Sequence, residues 1–223
     1  MKFRERLEKI TKELESHPDI EVYGLHFGTA LDEQVVRDAM VRLGVGPYDE
    51  VIQFYMEHNG AFLEWGLRGR EYEEVGFGGM PDYGSPPGCI NILPIGDVFS
   101  ESWQLDAIVQ TPREEHWQAA FGQSIDFQQK CKIVVFDNYS RFEHTDMLLG
   151  PEPILLVATD HGADLGASNL MTLSQYLEVV LALYGTNPYQ EVGINWSKKA
   201  RRLESVSKYN LEDLIAKIRL EPS

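Results

Sequence analysis

Cysteine is nearly absent from the chain, with two, Cys89 and Cys131, among 223 residues. A disulfide framework needs more sulfur in a smaller chain. Each cysteine opens an apolar run, Cys89-Ile90-Asn91-Ile92-Leu93 and Cys131-Lys132-Ile133-Val134-Val135, so both read as small buried hydrophobes in strands. Positive charge is also scarce: 20 Lys and Arg face 35 Asp and Glu, a net charge of -15. Such a surface repels nucleic-acid phosphates and anionic lipid, and attracts basic partners when it does more than keep the chain in solution. No apolar stretch approaches the roughly 20 residues of a membrane helix. The N-terminal Met1-Lys2-Phe3-Arg4-Glu5-Arg6 lacks the apolar region of a signal peptide. The expectation is a cytoplasmic protein with no membrane or nucleic-acid partner.

What is present is an ordinary globular balance, 43% hydrophobic and 25% charged residues, in a chain long enough to bury a core. Phe3, Leu7, Ile10 and Leu14 lie on one face of a helix over 3–16, which His17-Pro18-Asp19 stops. Ile20–Phe27 reads as a strand. Thr29 is the expected cap of a second helix, with Leu31, Val35, Ala39 and Leu43 as its apolar stripe and Gly44 as its stop. A third helix opens at Pro47, buries Tyr48, Val51, Ile52, Tyr55 and Met56, and ends at Asn59-Gly60. Phe62–Trp65 and Ile90–Ile95 follow as strands. Strand-like runs at 132–137, 142–149 and 154–159 have meander spacing, with no room for a crossover helix between the last two. Thr172 caps a helix over 173–184, and Asn210 caps a final one with Leu211, Leu214, Ile215 and Ile218 on its apolar face.

The stretch 66–88 differs from its surroundings. Seven glycines and three prolines exclude regular structure over most of it, and a loop this long is usually functional or mobile. Gly76-Phe77-Gly78-Gly79 lacks the lysine and the strand–loop–helix frame of a phosphate loop. Tyr72, Phe77 and Tyr83 offer a partner large contact area at low entropic cost, and Glu73-Glu74 add negative potential; a tolerated insertion is the alternative. These five residues are the candidate binding set.

Catalytic candidates are thin. Asp160-His161-Gly162-Ala163-Asp164 is the densest polar cluster. Asp160, His161 and Asp164 are ordinary metal ligands, and His144 with Asp146 would join them if strand register allowed. A turn in which both aspartates bond backbone amides explains the same residues. Cys89 or Cys131 paired with His161 or His144 lacks a helix N-terminus or basic cluster to form a thiolate. Ser168 and Ser174 have no strained elbow. Paired carboxylates (Glu73-Glu74, Glu114-Glu115, Asp137 with Asp146) are expected by chance in so acidic a chain. The basic run Lys198, Lys199, Arg201 and Arg202 is a weak nucleic-acid footprint against the overall charge, and a solvated helix face explains it.

Leu43-Gly44-Val45-Gly46-Pro47-Tyr48-Asp49-Glu50-Val51-Ile52-Gln53-Phe54-Tyr55, followed by Asn59-Gly60, resembles the N-terminal signature of the SUKH superfamily, which holds fungal cell-wall-synthesis regulators and many bacterial immunity proteins. Ile154–His161 and Ala167-Ser168-Asn169 before Tyr176-Leu177 are similar to its later part. The resemblance covers residues 31–184. It sets the expected division into an N-terminal helix and strand (1–30), a core domain (31–184) and a C-terminal helical tail (185–223). It implies an α+β fold, a twisted, mostly antiparallel mixed sheet with helices packed around it. It further implies a protein-binding role, often the neutralisation of a toxin that carries a nuclease or other enzymatic domain, and it supplies no catalytic residues; with the net charge, the expectation is a non-catalytic module without cofactor whose partner is a basic toxin domain. The alternatives are a metal-dependent hydrolase centred on Asp160, His161 and Asp164, and a self-associating regulatory scaffold.

Overall fold

The first helix follows the apolar spacing of its sequence. α1 (Phe3–Ser16) buries Leu7 and Leu14, with Phe3 and Ile10 packed beside them. In the computed structural model, which describes residues 2–81, 84–99, 132–140, 143–150, 152–159, 170–186, 194–197, 202–206 and 210–220, it leads into β1 (Ile20–Phe27). α2 (Glu33–Arg42) and α3 (Asp49–Glu57) follow, then β2 (Ala61–Leu67), β3 (Gly88–Ile92) and the single turn α4 (Ile95–Val98). The second half holds β4 (Lys132–Asp137), β5 (Glu143–Leu149), β6 (Pro153–Thr159), β7 (Leu170–Met171) and α5 (Leu173–Ala182). A hairpin of β8 (Ile194–Ser197) and β9 (Arg202–Val206) precedes α6 (Leu211–Leu220).

β1 to β7 form one sheet in chain order, and every pairing among the described residues is antiparallel. The fold is α+β, and among the described residues no parallel pair makes the sheet mixed. Strand alternation sends Ala61, Leu63, Trp65 and Leu67 of β2, Ile90 and Ile92 of β3, and Met147 and Leu149 of β5 into one apolar cluster with the buried faces of the six described helices. Leu7, Leu14 and Ile20 at one end of the chain and Leu211, Leu214, Ile215 and Ile218 at the other belong to this same cluster. Trp65 is fully buried and donates from Nε1 to the Tyr184 carbonyl (2.7 Å). Gly88 lies flat against it: a Cβ there would stand 2.1 Å from the indole.

Capping follows the expected chemistry at two helices. Thr172 Oγ1 accepts the Gln175 N–H (3.2 Å) and Gln175 Oε1 accepts the Thr172 N–H (3.0 Å), a reciprocal capping box. Asn210 Oδ1 accepts the Glu212 N–H (3.1 Å). α2 starts later than expected. The Leu31 N–H donates to the Tyr55 carbonyl (3.1 Å), which holds Leu31 outside the helix and makes Asp32 its cap. The buried stripe is therefore Val36, Ala39 and Met40, while Val35 is exposed. α3 likewise starts one residue after Tyr48 and buries Phe54 in place of Met56. The expected strand 90–95 ends at Ile92, and α4 begins after Pro94. The β8–β9 hairpin was not anticipated in the tail. Among the described residues no helix is long and apolar enough to cross a membrane.

Candidate functional site: a sheet face clad by a glycine-rich loop

Alternation that buries Leu63 and Trp65 sends Phe62, Glu64 and Gly66 to the other face of β2, and Cys89 and Asn91 to that face of β3. No described helix covers them. The glycine-rich segment between β2 and β3 does. Val75 and Phe77 pack on a small cluster of Phe62, Cys89 and Tyr139. The Phe77 ring lies 4.5 Å from His26 of β1 and 6.5 Å from Phe62. Tyr72 meets Tyr23 edge-on at 6.2 Å and lies over Gly66, where a Cβ would come within 2.4 Å of its ring. Glycine at 66 leaves the sheet flat enough for the tyrosine to lie down.

Two buried polar side chains hold the segment. Glu64 is 1% exposed, and its Oε1 accepts the Val75 N–H at 2.7 Å, with the Gly76 N–H directed at the same carboxylate. Burial pushes its pKa up, the two amides pull it down, and Glu74 adds a smaller upward push. Asn91, fully buried, uses both ends of its amide. Oδ1 accepts the Gly78 N–H (2.9 Å), and Nδ2 donates to the carbonyls of Gly79 (3.0 Å) and Asn138 (3.1 Å). A segment with no regular structure is thus hydrogen-bonded to the sheet as an added layer.

Asn91 also stands at the sheet's thinnest seam. β3 and β4 share one register pair, Ile92 with Asp137. Side chains supply what the ladder lacks: Asp137 Oδ1 accepts the Asn91 N–H (2.8 Å), and its Oδ2 accepts the Tyr176 hydroxyl (2.7 Å) from α5. Burial drives the Asp137 pKa to about 7 against the pull of those two bonds.

The predicted binding residues divide. Tyr72 and Phe77 are half-buried against their own sheet, Glu73 and Glu74 are exposed, and Tyr83 lies outside the described residues. Exposed Glu71 and, on β1, Glu21 extend the acidic surface, with Arg70 as an exposed cation in the same loop. Burial, then Glu21, Tyr72, Glu74 and Glu64, raise the pKa of the Tyr23 hydroxyl, so these groups converge on the Tyr23–Tyr72 pair.

The predicted chemistry is placed less fully. Asp160, His161, Asp164, Cys131, Ser168, Glu114, Glu115, Lys198, Lys199 and Arg201 lie outside the described residues, and Arg202 falls in β9. The strand register puts Asp146 opposite Val135 and Thr145 opposite Asp137. Asp146 faces His144 instead, 3.3 Å from its Nε2. Among the described residues no three His, Cys, Asp or Glu side chains are grouped to hold a metal ion. Cys89 is buried under Phe77, and burial, with Asp137 and Glu64 nearby, raises its thiol pKa well above the usual range. A thiol so placed is protonated and shielded.

Glu64, Asn91, Tyr23 and His26 escaped sequence reasoning. A signal existed for the first two: a lone Glu in Phe62-Leu63-Glu64-Trp65 and a lone Asn in Ile90-Asn91-Ile92 each occupy the alternate face of an apolar strand. Comparison with family models, with curated proteins and with solved structures returns no match for this chain.

Proposed function

We propose that this chain is a non-catalytic protein-binding module of SUKH type, an immunity protein that neutralises a basic toxin domain. The supporting observation is the loop-clad sheet face: rigid aromatics fixed beneath an exposed rim of Glu21, Glu71, Glu73 and Glu74. A pre-ordered surface loses little entropy on association, and a negative rim speeds encounter with a positive partner. The net charge of -15 has the same sign as the rim.

The test is affinity capture from the native host with the wild-type chain and with the double variant Glu73→Lys/Glu74→Lys. Both positions are exposed, so the variant keeps its fold. The expected result is capture of a basic toxin domain whose activity falls on binding. Affinity drops about 10- to 100-fold in the variant, roughly 1.4–2.8 kcal/mol, mostly through slower association at low salt. Equal binding by both chains would refute the surface assignment. Turnover of a small molecule by the pure protein, with no protein partner recovered, would refute the reading as a whole.

A further inference from the structure

Among the described residues the sheet ends at β1. β1 is eight residues long and contains neither lysine nor proline. Long edge strands offer a row of backbone donors and acceptors, which proteins generally blunt with such residues or cover. At the opposite edge, β9 lies against β7 and α5. Among the described residues no strand lies beyond β1. All seven residues of β2 are buried, whereas none from Glu21 to Phe27 is.

The hydrogen bonding shows which groups are on offer. The Gly28 N–H donates to the Gly60 carbonyl (3.2 Å), and the Gly28 carbonyl accepts from Asn59 (3.2 Å), so Gly28 faces β2. Alternation back along an antiparallel strand turns His26 and Gly24 toward β2, and turns the N–H and C=O of Leu25 and Phe27 outward. The start of the strand is closed, because the Arg68 guanidinium donates to the carbonyls of Pro18 (3.1 Å) and Ile20 (2.8 Å). An irregularity in register between Val22 and Gly24 interrupts the ladder, so the open portion runs from Gly24 to Phe27.

We infer that this edge binds an extended basic segment of a partner protein by strand addition. The inference rests on the protein-binding reading above and supplies its geometry. Charge selects the occupant. Glu21 lies on the strand, and in the adjoining loop exposed Glu71, Glu73 and Glu74 outnumber exposed Arg70. The cations near the other end are engaged: Arg4 with Glu8 (3.0 Å) and over the Phe27 ring, and Lys2 with Glu57 (2.7 Å). A second copy of the chain would bring another -15 to the same edge, which opposes self-pairing.

Proline at position 25 removes one outward N–H and leaves the β2 ladder intact, as edge strands tolerate. The probe is a peptide as long as β1 that alternates lysine with valine, and its counterpart alternates glutamate with valine. The wild-type chain and Leu25→Ala are expected to bind the basic peptide alike, and Leu25→Pro to lose at least about tenfold in affinity. In the wild-type chain, the peptide should also slow hydrogen exchange at the Leu25 and Phe27 amides, a readout independent of the variant's folding. Equal binding by Leu25→Pro, equal binding of the acidic peptide, or a wild-type dimer in sedimentation that Leu25→Pro dissociates would each overturn the inference. If Leu25→Pro keeps the captured partner while Glu73→Lys/Glu74→Lys loses it, strand addition fails and the protein-binding reading stands. If neither variant changes capture, strand addition and the surface assignment both fail.

Discussion

Asn91→Ala is expected to lower stability by about 3 kcal/mol and to free the glycine-rich segment from the sheet. The substitution strips partners from the Gly78 N–H and from the Gly79 and Asn138 carbonyls. An orphaned buried group costs about 1–3 kcal/mol, but the loop can lift to water, which limits the total. In a chain of this size the thermal midpoint should fall by roughly 6–12 °C. Asn91→Asp separates volume from hydrogen bonding. It keeps an acceptor for Gly78 but turns a carboxylate toward two carbonyls, so it should be at least as damaging as Asn91→Ala. A loss under about 0.5 kcal/mol in both variants would show that the amide does not hold the loop.

The second large effect is a pair of opposed pH dependences. Asp137 titrates near 7 in the fold against a usual 3.8, because burial disfavours its charge. Its contribution is complete below the unfolded value and is lost as pH rises toward 7, at about 1.4 kcal/mol per unit. His58 acts in the opposite direction. Its ring is fully buried among Phe54 (4.4 Å), Phe27 (5.6 Å) and Phe3 (5.7 Å), and neither nitrogen has a hydrogen-bond partner among the described residues. Burial lowers its pKa from 6.5 to about 4, with Glu57 opposing and Arg4 and Lys2 assisting. The neutral ring is favoured, so stability present above 6.5 is lost as pH falls toward 4.

These slopes oppose each other over the shared window from about 4 to 6.5, so in the wild type each cancels part of the other. Asp137→Asn keeps an acceptor for Asn91 and leaves the histidine slope, which Asp146 and Glu64 partly offset, so that variant should lose up to about 3 kcal/mol on acidification from 6.5 to 4. His58→Phe fills the aromatic cluster and leaves the aspartate slope. It should lose about 4 kcal/mol as pH rises from 4 to 7, with Asp146 and Glu64 adding in the same direction because burial raises both. Chemical denaturation at four pH values measures both. Parallel profiles for the wild type and the two variants would refute the assignment.

Much of the scaffold was legible because periodicity and capping are local. Leu7 and Leu14, the Thr172–Gln175 box and the Asn210 cap need only near neighbours in sequence, and the meander follows from short connections. The start of α2 was not legible, since it depends on the Leu31 amide finding the Tyr55 carbonyl on another helix. The site was half legible for the same reason. Composition marked 66–88 as a special segment and picked Tyr72 and Phe77, but it suggested aromatics offered to a partner. Their inward packing depends on Gly66, Glu64 and Asn91, which strand register brings beneath them. The β8–β9 hairpin was hidden by the run of basic residues between its strands.

The proposed binding surface depends on this loop lying fixed upon the sheet. Amide hydrogen exchange at Val75 and Gly78 tests that most directly, because their N–H groups donate to Glu64 and Asn91. Protection comparable to that of the Asn91 amide within β3, lost at Gly78 in Asn91→Ala, is the predicted result. Exchange at both amides as fast as in an unstructured peptide would contradict the account.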